Sequence, residues 1–182
     1  MASRSLRAAE LRNDDETTRA FYRQAQAWGE KALAQNPDSA EANFILFAAR
    51  GRLLLSEGLL THLLEFHDIS RYLERALALD PDYANALAAR GGMLLDLPFY
   101  LGGDPAQAEQ ILRKAVKINP TGPGTRLGLA KALLRNGDSP GAKQQLVLAA
   151  HYACVEHRAK TLTEVNKVLS QVGGSRATAK SQ

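Results

Sequence analysis

Tyr72-Leu73-Glu74-Arg75-Ala76-Leu77-Ala78-Leu79-Asp80-Pro81-Asp82-Tyr83-Ala84-Asn85-Ala86-Leu87-Ala88-Ala89-Arg90-Gly91 is the stretch that decides the fold. Leu73, Ala76 and Leu77 recur at helical spacing, so the first half reads as the end of an amphipathic helix. Pro81 cannot continue that helix and biases Asp80 away from the αR region. Asp82 can cap a second helix, which Ala84, Ala86, Ala88 and Ala89 favour intrinsically.

The same junction occurs twice more. Ala32-Leu33-Ala34-Gln35-Asn36-Pro37 stands before it in the chain, and Ala115-Val116-Lys117-Ile118-Asn119-Pro120 after it. An Ala stands five residues before the Pro each time, and the Pro-to-Pro steps are 44 and 39 residues. Self-similarity at this period is the mark of stacked helix pairs. The spacing resembles the tetratricopeptide repeat family, a helix–turn–helix unit of about 34 residues. The family's closing Ala-x4-Pro falls on Ala32/Pro37, Ala76/Pro81 and Ala115/Pro120. Its small residue at the helix crossing falls on Gly91 and Ala130, with bulky Phe47 in the first full unit. Leu46 and Leu129 match the preceding Leu, where Arg90 departs.

The expected fold is therefore all-α: a right-handed α-solenoid of antiparallel helix pairs, about three repeats with a C-terminal capping helix. Helices are expected at about 13–35, 39–56, 68–79, 82–95, 104–118, 123–136, 139–152 and 156–172, in one domain spanning 13–172. Residues 1–12 read as a frayed or short helix, and 173–182 as a disordered basic tail. Asp104, Pro105 and Gln107 form an N-terminal signature for the helix they open. Gly137 suits the C′ position of the helix ending near Asn136, and Asp68 is placed to cap 68–79. The surplus over the family's repeat length falls within Glu57–Asp68 and Leu97–Asp104. The first is too apolar for a plain loop and predicts helical extension, with Leu60, Leu63, Leu64 and Phe66 buried or lining a cleft.

Composition narrows the function. Of 182 residues, 45% are apolar and 23% charged, ordinary for a soluble domain. No apolar run approaches about 18 residues, so no membrane-spanning helix is expected. The N-terminus lacks a signal-peptide core, which points to the cytoplasm, or to the periplasm if a leader precedes this chain. The lone Cys154 excludes an internal disulfide framework and reads as a small buried hydrophobe. Residues 121–182 carry nine Lys/Arg against three Asp/Glu, but aromatic residues do not interleave with them, so nucleic acid is not an expected partner. His62, His67, His151 and His157 lack metal-ligand spacing, and no nucleophile–base constellation or phosphate loop is present. No metal, cofactor or catalytic residue is assigned, and the expectation is a protein that is not an enzyme.

The resemblance also implies a site. Ligands of this family lie along a concave groove made by the first helix of each pair. The matching positions are Glu41, Phe44, Ala48 and Arg52, then Asn85, Ala88, Ala89 and Gly92, then Leu127, Lys131 and Arg135. The family's dicarboxylate clamp of Lys and Asn residues is absent: Phe44, Ala48, Ala89, Gly124 and Gly128 stand there. Chaperone-tail capture is therefore not expected, which leaves a small-floored groove for a peptide or helix of a protein partner. Leu97-Pro98-Phe99-Tyr100-Leu101-Gly102-Gly103-Asp104 is similar to the tetratricopeptide-like T components of bacterial TRAP transporters. That likeness implies an alternative, an apolar small molecule carried between Phe44, Phe66, Phe99 and Tyr100. Self-association through the repeat ends is the third reading.

Overall fold

The computed structural model describes residues 15–57 and 63–178. Among them are eight α-helices and no strand: α1 (Asp15–Gln35), α2 (Ala40–Glu57), α3 (Leu63–Leu79), α4 (Ala84–Asp96), α5 (Pro105–Ile118), α6 (Pro123–Arg135), α7 (Ser139–Val155) and α8 (Ala159–Thr178). A short 3-10 turn, Phe99–Leu101, precedes α5. The expectations for residues 1–12, for Leu60 and for the side chains of Leu63, Leu64 and Phe66 lie outside the described residues.

The three proline junctions are built alike. The Ala carbonyl accepts the last helical bond, from Asn36 to Ala32, Asp80 to Ala76 and Asn119 to Ala115, at 2.8, 2.9 and 2.9 Å. A second bond closes the turn across each proline: Ser39 to Asn36, Tyr83 to Asp80 and Gly122 to Asn119. The residue before each proline is Asn or Asp, because its short side chain can satisfy a donor two residues on. Asn36 Oδ1 accepts from the Asp38 amide at 3.1 Å and Asp80 Oδ1 from the Asp82 amide at 3.0 Å. Ser39 Oγ then accepts from the Ala42 amide and caps α2. The expected cap at Asp82 is corrected: α4 starts at Ala84, so Tyr83 precedes it.

The chain divides into two compact units, residues 1–86 and 87–182, with the boundary inside α4, where the sequence reading has one domain over 13–172. In the first unit α1 packs on α2 and α2 on α3. Ala25, Ile45 and Ala49 form the buried contact, with Trp28 against it. Ile69, Leu73 and Ala76 are the buried stripe of α3. Leu63 rather than Asp68 opens this helix, so Asp68 is an internal residue and not a cap. The apolar stretch continues the helix toward its N-terminus and overrides the local capping signal.

In the second unit α5 packs on α6, α6 on α7 and α7 on α8. One core joins Leu94 and Leu95 to Leu112, Leu129, Leu133, Leu146 and Val165. Asp104 caps α5 as its side chain accepts from the amides of Ala106 and Gln107. Gly137, at φ 86°, follows α6 as expected of a C′ residue. The last helix differs from its expected span of 156–172. It starts at Ala159, and its backbone runs through Gly173 and Gly174 to Thr178 in place of an irregular tail. Two glycines weaken a helix by about 1 kcal/mol each without forbidding it.

His157 turns the chain between α7 and α8 at φ 54°, a left-handed conformation that glycine holds more cheaply. The Arg158 amide donates to the Ala153 carbonyl at 2.7 Å and closes the turn. His157→Gly is expected to stabilise the protein by about 0.5–1 kcal/mol, read as a shift of the urea midpoint at unchanged slope.

Candidate partner-binding surface

Helix α2 presents two different sides. Ala42, Ile45, Leu46 and Ala49 are buried against its neighbours. Phe44, Ala48 and Arg52 recur at i, i+4 and i+8, which puts them on one line. Phe44 and Ala48 are half-buried and Arg52 is exposed. Phe44 meets Tyr83 edge-to-face, with ring centroids 5.3 Å apart and an interplanar angle of 79°, and lies 6.3 Å from Phe47. This geometry suits an aromatic pair and holds Phe44 in place while part of its ring stays open. Burial, and then the carboxylate of Glu41, push the Tyr83 phenol above its ordinary pKa, so it stays a neutral donor. Asn85 is exposed at the start of α4. The first unit thus offers an aromatic surface with a cation at one end.

The residues expected of the second unit are placed less uniformly. Ala88 and Gly92 are half-buried on α4, and a Cβ at Gly92 would meet open space. Arg135 is exposed, and Lys131 is paired with Glu164. Leu127 is a correction: it is 5% exposed and belongs to the core with Leu129 and Leu133, so it cannot line an open groove. Position 127 points inward because α6 is covered on two sides, by α5 and α7.

The second insertion gives another correction to the carrier reading. Phe99 and Tyr100 are 92% and 81% exposed, so neither encloses an apolar ligand. They stand on the 3-10 turn because Leu101 and Gly103 both donate to the Pro98 carbonyl and lift the turn off the core. Cys154, expected to be buried between helices, is exposed on α7. Among the described residues no group of three His, Cys, Asp or Glu side chains could hold a metal ion. No described helix is long and apolar enough to cross a membrane.

Arg126 is a residue that the sequence reading missed. It is 8% exposed, donates through Nε to the Pro120 carbonyl at 2.7 Å, and through a terminal nitrogen to Gln145 Oε1 at 2.7 Å. Its guanidinium lies 5.5 Å from the Tyr152 ring centre. It ties the third proline junction to α7, which makes it a structural residue. The signal was present: Arg126, Ala130 and Leu133 share one helical face. Arg126→Ala removes the donor from both Gln145 and the Pro120 carbonyl, and should cost about 2 kcal/mol in urea unfolding.

Comparisons with known proteins agree with this architecture. Residues 100–162 match a family model described as tetratricopeptide repeat. The structure is similar to that of PilW, described as a widely conserved type IV pilus biogenesis factor. The TM-score is 0.55 at 17% identity, covering 95% of this chain and 78% of that one. It is also similar to a thermophilic tetratricopeptide-repeat protein of Thermus thermophilus. There the TM-score is 0.54 at 17% identity, covering 90% of this chain and 100% of that one. At such identities these likenesses show the fold, the α-solenoid class of tetratricopeptide helix pairs. No curated protein matches the chain. Residues 1–92, half of the chain, match the family model described as regulator of microtubule dynamics protein 1-3. The chain is a tetratricopeptide-repeat protein and belongs to the regulator of microtubule dynamics protein 1-3 family.

Proposed function

We propose that this protein is a non-enzymatic interaction module that captures a peptide or helix of a protein partner. The Phe44–Ala48–Arg52 line of α2 is the principal contact of the first unit. The observation that carries this reading is the part-open Phe44 ring, fixed edge-on to Tyr83, with exposed Arg52 about 12 Å further along the same line of α2. Rigid aromatic anchors and arginines are the residue types that carry much of the binding energy at protein interfaces. The tetratricopeptide fold supports the class, since proteins built on it bind protein partners.

The family description names regulators of microtubule dynamics, so microtubule proteins are the first partners to test. The test is co-sedimentation with assembled microtubules, followed by affinity capture from the host lysate, with Phe44→Ala/Arg52→Ala beside the wild type. Alanine keeps the helix propensity of α2, so the circular dichroism spectrum should be unchanged. The double variant is expected to lose at least about 100-fold in affinity for whichever partner the wild type retains. Equal retention by both proteins would remove the α2 line from the site.

A further inference from the structure

Charge is divided unevenly between the two units. Residues 1–86 hold 10 Lys/Arg against 13 Asp/Glu, and residues 87–182 hold 13 against 6. Within the second unit, α6, α7 and α8 together contain seven Lys/Arg and one acid, Glu164. Glu164 is paired with Lys131, which sets the register of α8 beside α6. The turns from α6 to α7 and from α7 to α8 are three residues each, so successive helices are antiparallel and α6 and α8 run in the same direction. Lys131 and Glu164 are 33 residues apart, and the same offset one turn on sets Arg135 beside Lys167. One turn before Glu164, Lys160 stands on the same line of α8.

Arg135, Lys160 and Lys167 are exposed, and none makes an ion pair among the described residues. Arg135 and Lys167 repel each other, and Lys160, in the first turn of α8, opposes the helix dipole. Neither placement stabilises the fold, and both attract an anion. The carboxylates nearby are already engaged. Asp138 accepts from the Gly141 amide at 2.9 Å, Glu156 reaches Arg158 at 3.3 Å, and Glu109 on α5 holds Asn136 and Arg113 at 2.7 and 2.8 Å. These three acids and their two arginines add one negative charge. Lys131, Arg135, Lys160 and Lys167 against Glu164 leave three positive charges, so a surplus of cations remains. Neither α6 nor α8 contains an aromatic residue, and none of the exposed large apolar side chains lies on them. A bilayer surface would find nothing there to insert, and single-stranded nucleic acid nothing to stack on. An acidic peptide needs only the cations. Lys160 and Lys167 are about 10 Å apart along the axis, which about three residues of extended chain span.

We infer that the α6–α8 face is a second docking site, separate from the α2 line, which takes an extended acidic segment of a protein partner through Arg135, Lys160 and Lys167. The test adds a short peptide containing Glu-Ser-Ser-Glu, or its Gln-Ser-Ser-Gln counterpart, to the full chain and follows the backbone amide shifts by NMR. The Glu peptide should shift amides of α6 and α8 with an affinity that falls as salt rises, and the Gln peptide should not. Arg135→Gln/Lys167→Gln should weaken binding by about tenfold, while Lys117→Gln, a like charge change on α5, should leave it unaltered. Glu164→Gln should tighten binding by about threefold, because it removes the one acid of the strip and frees Lys131. Phe44→Ala/Arg52→Ala should bind this peptide like the wild type, so the two sites are tested separately. Equal shifts with the Gln peptide, no loss in Arg135→Gln/Lys167→Gln, or weaker binding in Glu164→Gln would overturn the assignment. So would phosphatidylserine vesicles or a single-stranded oligonucleotide displacing the peptide with the same dependence on Arg135 and Lys167, which would make the strip a general anion surface.

Discussion

Leu112→Ala is expected to destabilise the protein by about 4 kcal/mol, near the top of the range for buried leucines. Leu112 is 1% exposed at the centre of the second unit's core. Two of its neighbours have no side chain to move into the hole. A Cβ at Gly91 would lie 2.5 Å from Leu112 Cγ, and one at Gly128 would lie 3.2 Å from a terminal methyl. The leucine therefore fills space left by two glycines on facing helices. Removing it leaves a cavity that close-packed backbone cannot collapse to fill. Urea unfolding monitored by circular dichroism measures the loss. A cost near 1 kcal/mol would mean that α4, α5 and α6 slide together more freely than their packing implies.

Gly103→Ala is expected to cost about 3 kcal/mol or more, although the residue does not need a left-handed backbone. A Cβ there would stand 1.9 Å from the Leu97 carbonyl oxygen, and backbone cannot step aside as a side chain can. Relieving the clash breaks the Gly103-to-Pro98 and Asp104-to-Leu94 hydrogen bonds, at 3.0 and 2.9 Å. It also displaces Asp104, the cap of α5. Gly102 is the contrast. Its φ is 89°, but a Cβ there meets nothing within 4 Å. Gly102→Ala should then cost only the conformational penalty, about 1 kcal/mol. The two variants separate steric from conformational reasons for adjacent glycines. Equal costs would show that the clash at Gly103 is relieved by a small shift of the turn.

The repeat was legible because its junctions depend on local chemistry. Asn36, Asp80 and Asn119 each stand before a proline and after a helix whose last bond goes to an alanine carbonyl. Nothing distant has to be known to read that. The buried stripes of α3, α5 and α7 were legible for the same reason, since Leu73, Leu112 and Leu146 sit at the centres of regular apolar faces. What failed was whatever distant packing or longer apolar continuity decides. The family register places Leu127 on the groove side, but both flanking helices cover α6 and bury it. Asp68 has the chemistry of a cap, yet the helix begins at Leu63. Arg126 stands on the same helical face as Ala130 and Leu133, which the sequence does show, but its partners, Pro120 and Gln145, come from two different segments and are not legible there.

The candidate site was legible in part. Phe44, Ala48 and Arg52 form one line on α2, as the register implied, but no sequence feature announces the Phe44–Tyr83 pair.

The most direct test of the central claim is site-specific photo-crosslinking from position 52, the exposed end of the α2 line. Lys143, exposed on α7 of the other unit, serves as the reference position. With the crosslinker at position 52, irradiation in the host lysate should give a discrete adduct that Phe44→Ala suppresses. Adducts from position 143 alone, or from position 52 with no dependence on Phe44, would contradict the assignment of α2 as the partner-binding surface.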